Sequence, residues 1–130
     1  MEILQPPGWP RPRGYSNGIA ASGRMVFVSG MVGWNEHGVF ESDDLVGQAR
    51  QALVNIVQVL AEAGARPEHI VRMTWYVLDR DGYAKSVKPL GIAYREIIGN
   101  HYPAMTAVAV TGLMEPLAKL EIEVTAVMPA

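Results

Sequence analysis

The sequence predicts an α+β domain in which two helices pack on one face of a mixed β-sheet. Three observations carry that expectation. Leu45, Ala49, Ala52, Leu53, Ile56, Leu60 and Ala63 recur at helical spacing and form one apolar stripe. Residues 70–78 and 117–128 instead alternate with period two, the mark of strands that keep one face dry. Strand-like and helical segments alternate only in part, which suits layered α+β packing better than a run of parallel βαβ units. With 130 residues, 49% hydrophobic and 18% charged, the chain suits one domain over 1–130, with apolar surface left over for contact between subunits.

The elements follow in order. Residues 1–14 form an extended, Pro-rich arm: QPPGWPRPRG at 5–14 holds four of the nine prolines and two glycines, too little chain to fold by itself. Tyr15–Ala21 is expected as a short first strand, and Met25–Ser29 as a second that ends at Gly30 and continues towards Trp34. Asn35-Glu36-His37-Gly38 makes a turn, after which Val39-Phe40 starts a short return strand. Ser42 or Asp43 caps the long helix, Gly64 ends it and Pro67 prevents it from resuming. Ile70–Leu78 is the clearest strand, with Val71, Met73, Trp75 and Val77 placed on its dry side. A second helix is expected over about Tyr83–Ile98, kinked or delayed by Pro89 and Gly91. Ala104–Leu113 and Leu117–Met128 then read as two strands of a closing hairpin. In the last, Lys119, Glu121, Glu123 and Thr125 face one way and Leu120, Ile122, Val124 and Ala126 the other.

Composition narrows the function classes. Net charge is −2 with no basic cluster, so a phosphate-tracking nucleic-acid surface has little support. The absence of cysteine rules out disulfides, thiol nucleophiles and thiolate metal sites. Met-Glu-Ile-Leu-Gln-Pro-Pro-Gly has neither a basic nor an apolar leader segment, and no apolar run approaches a membrane span, so the expectation is a cytoplasmic protein without membrane contact. His37, His69 and His101 fall in three separate loops or turns and read as solvated residues rather than a metal site. Trp75 is expected in the core, and Trp34 at a hairpin end that could cap an interface.

Five segments in order carry a resemblance. They are Gly14-Tyr15-Ser16-Asn17-Gly18-Ile19, Val26-Phe27-Val28-Ser29-Gly30, the helix face Ala49-Arg50-Gln51-Ala52-Leu53 with Asn55-Ile56, Tyr102-Pro103-Ala104, and Leu120-Glu121-Ile122-Glu123. Together they span nearly the whole chain, which on them resembles the Rid/YjgF family of reactive-intermediate deaminases. The resemblance implies a chorismate-mutase-like fold and a homotrimer whose sheets form a central barrel, with a ligand cleft at each subunit interface. It further implies hydrolysis of small imines or enamines, in the best-known members to 2-oxo acids and ammonia, with no metal or organic cofactor.

Carried over residue by residue, the resemblance makes Glu121 the carboxylate that positions the attacking water. Tyr15, Ser29 and Gly30 become ligand contacts, and Lys88 lies in a segment directed towards a neighbouring subunit's site. Met105 departs from the pattern, standing where the best-known branch has a carboxylate-gripping arginine. Met31 departs again, where many relatives carry glutamine. A thioether offers no donor to a carboxylate. The chain thus reads as a divergent branch lacking the substrate-binding arginine, with Met31 and Met105 lining a less polar cleft for a ligand other than the standard 2-imino acids. Arg13, Arg72 and Lys88 are the cations weighed as substitutes. The alternative is a non-catalytic trimer that binds small molecules or serves as a protein-interaction scaffold.

Overall fold

The computed structural model describes all 130 residues. Its elements are β1 (Glu2–Leu4), β2 (Gly18–Ala20), β3 (Arg24–Met31), α1 (Leu45–Glu62), β4 (Ile70–Val77), α2 (Arg80–Lys85), α3 (Val87–Ile97), β5 (Ala104–Ala109) and β6 (Leu120–Met128). The main sheet has the order β3-β6-β4-β5. β6 runs antiparallel to both β3 and β4, whereas β5 lies parallel to β4, so the sheet is mixed. β1 and β2 form a separate antiparallel pair.

Period-two alternation sorts the two faces. Leu120, Ile122, Val124 and Ala126 of β6 turn towards the helices with Met73, Trp75 and Val77 of β4, and all are buried. Leu53, Ile56 and Leu60 of α1 close over them with no exposed surface. Each such side chain contributes roughly 1.5–3 kcal/mol of burial free energy. The opposite face carries Arg72, Thr74, Tyr76, Glu121, Glu123 and Thr125, and no element covers it. It is not purely polar, because Met25 and Phe27 of β3 and Val108 of β5 also lie there, with Phe27 71% exposed.

One buried polar side chain ties the helix to the sheet. The Gln48 amide nitrogen donates to the carbonyls of Ser42 and Leu117, each at 3.0 Å, and its oxygen accepts from the Lys119 amide at 2.7 Å. The start of α1 is thereby fixed to the entry of β6. Gly33 makes room for this arrangement, since a Cβ there would stand 2.6 Å from the Gln48 backbone.

The sequence expectations hold for the fold class and the core faces, and four local readings are corrected. The last two strands do not form a hairpin: β4 lies between β5 and β6. β6 has two apolar-faced partners to satisfy and so takes an inner position, reached through the chain at 110–119. Val39-Phe40 makes no strand, because the Asn35 side chain accepts from the amides of His37 and Val39 and holds the segment as a loop. The second helix is two helices. Asp79 caps the first by accepting from the Gly82 amide at 3.0 Å, and Pro89 falls in the first turn of α3, where no amide donor is needed. Finally, α1 is capped by Asp44, accepting from Gly47 at 2.7 Å, rather than by Ser42 or Asp43. The arm also does more than extend, since β1 pairs with β2 and Gln5 accepts from Asn17 at 2.7 Å.

Removing the Gln48 amide should therefore leave three backbone groups without their partner. Gln48→Ala is expected to lower stability by about 2–4 kcal/mol in urea denaturation, the cost of buried unpaired polar groups. A loss below about 1 kcal/mol would show that water replaces the amide.

Candidate functional site

On the open face the site starts from a bulge. The β3–β6 register runs Val28↔Val124 and then Met31↔Ile122, so one extra residue is inserted and neither Ser29 nor Gly30 has a ladder partner. The Glu121 carboxylate folds over Gly30 and occupies the space that a Cβ would need. A Cβ on Gly30 would push the flexible Glu121 carboxylate out of this position. Beside it, the Tyr76 hydroxyl donates to Glu123. That hydrogen bond, followed by slight desolvation and the charges of Glu123 and Glu121, raises the Tyr76 phenol above its ordinary value. Ser29, Arg72, Thr74 and Glu123 share a shallow depression further along this face.

On the helix face, at the β5 edge, lies a cavity of about 500 Å³. Trp75, Met105 and Ala107 form its floor, and Tyr83, Leu90, Gly91, Tyr94 and Arg95 approach from the helices. Met105 faces inward because the parallel register sets it beside Met73, whose side chain is in the core. Tyr15 reaches the cavity through its neighbour. Buried Ser16 donates its amide to Pro103 O at 2.9 Å and its hydroxyl to Tyr102 O, which staples the arm to the entrance of β5. Arg13 and Tyr102 complete the rim.

Aromatic side chains dominate this cavity. Tyr94 and Tyr102 stack at 5.5 Å and 13°, and Trp75 meets Tyr83 tilted at 6.2 Å and 58°. The Tyr94 hydroxyl donates to His101 O at 2.6 Å. Burial, and then the neighbouring Tyr102, push the Tyr94 phenol well above its ordinary value, and burial raises Tyr83 as well.

The proposed site residues thus divide. Tyr15 and Met105 meet in the helix-face cavity, whereas Ser29, Gly30 and Glu121 meet on the open face. Met31 and Met105 do not line one cleft within the chain. They stand on opposite edge strands, and Met31 borders a different depression with Trp34 and Asn55. Asn55 holds that corner by donating to the carbonyls of Val32 and Trp34, and Trp34 packs on Phe40. Lys88 is exposed on the first turn of α3 and does not line the Met105 cavity. Arg72 is on the open face, which leaves Arg13 as the one cation of the three beside Met105. Two histidines are more than solvated: His69 Nδ1 accepts from the Arg66 amide at 2.9 Å, and a His101 ring nitrogen meets Ile70 O at 2.6 Å.

Sequence reasoning missed Arg95 and the tyrosine wall. The available signal was Gly91, a glycine inside a helix four residues before an arginine. Helix interiors disfavour glycine by roughly 0.5–1 kcal/mol relative to alanine, so its presence calls for a local reason. The nearest neighbour of that bare position is the Arg95 guanidinium, whose Nη1 would lie 3.2 Å from a Cβ on Gly91.

The fold and the sequence have counterparts among known proteins. The family model described as Endoribonuclease L-PSP matches residues 10–128. A RutC family protein of Pyrococcus horikoshii is 32% identical over 127 residues, covering 96% of each chain. The 2-iminobutanoate/2-iminopropanoate deaminase of Salmonella typhimurium is 31% identical over 108 residues, covering 81% of this chain and 80% of that one. Among solved structures, a member of the conserved Rid protein family from Yersinia pestis superposes with a TM-score of 0.84 at 30% identity, over 98% of both chains. The chain belongs to the Rid/YjgF/L-PSP (RutC) family.

The raised tyrosines predict an alkaline limit. An unfolded phenol ionises near pH 10, and the folded chain holds the protons of Tyr94 and Tyr83 more tightly. Their contribution to stability is therefore fully present below about pH 10 and is lost as pH rises through the folded values. Tyr94→Phe should flatten this alkaline decline while costing about 1 kcal/mol at neutral pH through the lost bond to His101 O. Denaturant unfolding across alkaline pH checks both effects, and an unchanged alkaline slope would contradict the assignment.

Proposed function

We propose that this protein is a cofactor-free imine or enamine hydrolase that works as a homotrimer, from a branch in which Met105 replaces the carboxylate-gripping arginine. The observation that carries the reading is Glu121 folded over Gly30 at an unpaired bulge. A carboxylate held in this way can orient a water and accept its proton. The water oxygen attacks the imine carbon, the C=N bond opens, and the proton passes to nitrogen. Collapse of the resulting aminol releases ammonia and leaves the carbonyl. In this reading the Gly30 amide donates to an oxygen of the ligand or of the aminol.

Assembly supplies what one chain lacks. Glu121 and Met105 lie on opposite faces of the sheet, so no single chain can present both to one ligand. A trimer with its open faces turned inward buries Met25, Phe27 and Val108, and it can lay one subunit's bulge against the next subunit's helix-face cavity. Tyr15 then holds the ligand opposite Glu121. The family kinship and the presence of a deaminase among the relatives support this reading.

The light-scattering mass should be that of three 14.2 kDa chains, and a monomer at micromolar concentration would refute the shared cleft. Glu121→Gln should lower imine hydrolysis by about a hundredfold or more with the trimer intact. Against freshly generated 2-iminopropionate the native protein should be about a hundredfold weaker than an arginine-bearing relative, because Met105 offers its carboxylate no donor. Absence of hydrolysis with every imine and enamine tried would favour the non-catalytic scaffold.

A further inference from the structure

The helix-face cavity contains more than Met105 suggests. Five aromatic side chains line it, Tyr15 and the two packed pairs Trp75–Tyr83 and Tyr94–Tyr102, a lining that suits a ring or an extended conjugated system. At about 500 Å³ it is roomy for a three- or four-carbon ligand and suits one that carries a ring. The indole Nε1 of Trp75, in a side chain only 4% exposed, is the one buried side-chain polar atom without a hydrogen-bond partner. That atom is shielded from the cavity, so a ligand there meets the indole ring and not its donor.

Positive charge is also present. Arg95 reaches the cavity by folding its guanidinium back over Gly91, where the missing Cβ leaves room. Arg13 approaches from the arm on the other side of Tyr15. Neither pairs with a carboxylate, which is true also of Arg11, Arg24 and Arg72; what sets Arg13 and Arg95 apart is that they line this cavity. An unpaired guanidinium beside aromatic faces suits a planar anion, which it can hold through two parallel hydrogen bonds.

We infer that the cavity takes a ring-bearing 2-imino or 2-oxo carboxylate, with the ring between the tyrosine and tryptophan faces and the carboxylate anchored by Arg95, assisted by Arg13. This rests on the reading of the cavity as the ligand half of a shared cleft. Arg95 is then a specificity-determining residue that takes over the anchoring from position 105. Its place on the helix, above the sheet floor, sets the anchor apart from Met105 and selects a longer ligand.

The test is equilibrium binding by calorimetry on the full-length protein with three probes: phenylpyruvate, pyruvate, and the uncharged ring ketone phenylacetone. Phenylpyruvate should bind at least about tenfold more tightly than either of the others, since it alone has both ring and anion. Arg95→Gln should lose about tenfold or more for phenylpyruvate while phenylacetone changes less than about twofold, and Arg95→Lys should recover part of the loss. Equal affinity of Arg95→Gln and native protein for phenylpyruvate would overturn the anchor, as would pyruvate binding as tightly as phenylpyruvate, or no binding of any probe. Imine hydrolysis measured in parallel separates the two claims. Arg95-dependent binding without turnover upholds the anchor and removes the hydrolase reading. Glu121-dependent turnover with binding indifferent to Arg95 removes the anchor alone.

Discussion

The alternation along β6 is the constraint on which the rest of the molecule depends. Leu120, Ile122, Val124 and Ala126 must be covered, and α1 covers them. The same pleat sends Glu121, Glu123 and Thr125 to the opposite face. A one-residue slip would exchange the two sets and bury carboxylates beneath α1. Gln48 guards against such a slip at the entry of β6, through its bonds to Leu117 and Lys119. The ladder is interrupted twice, between Ile70 and Arg72 of β4 and between Val28 and Met31 of β3, and the second interruption lies where Gly30 receives the Glu121 carboxylate. Register, bulge and carboxylate position therefore share one cause.

Elements with strong periodicity were readable from the sequence. The stripe from Leu45 to Leu60 and the alternation of Met73, Trp75 and Val77 mark residues that lie in the core. Strand neighbours were not readable in the same way. β5 and β6 are adjacent in sequence and look like a hairpin, yet β4 separates them, because strand order depends on which faces need covering and not on chain proximity. The turn at Asn35–Gly38 was legible, but the return strand at Val39-Phe40 was not: one side chain's hydrogen bonds to His37 and Val39 outweigh the β-propensity of Val39-Phe40.

The site shows the same division. Tyr15, Ser29, Gly30, Met105 and Glu121 could be named from motifs, but their separation onto two faces follows from strand pairing that motifs do not encode. Met105 seemed to mark a cleft without a cation. The cavity around it instead holds Arg13 and Arg95, brought there by an arm stapled through Ser16 and by a helix with glycine at position 91. A methionine on the strand and a guanidinium on the adjacent helix thus border one cavity, with an apolar floor below and positive charge above.

The central claim is that a working cleft needs two chains, one presenting Glu121 over Gly30 and the other the aromatic cavity. Subunit mixing tests this most directly. Glu121→Gln disables the first half, and Ala107→Trp fills the second. Each variant alone should be inactive in imine hydrolysis. Refolded together in equal amounts, they should regain about a quarter of the native rate, because each mixed trimer keeps one cleft with both halves intact. A mixture as inactive as its components, with mixed trimers demonstrated by mass, would show that each chain carries its own complete site and would contradict the shared cleft.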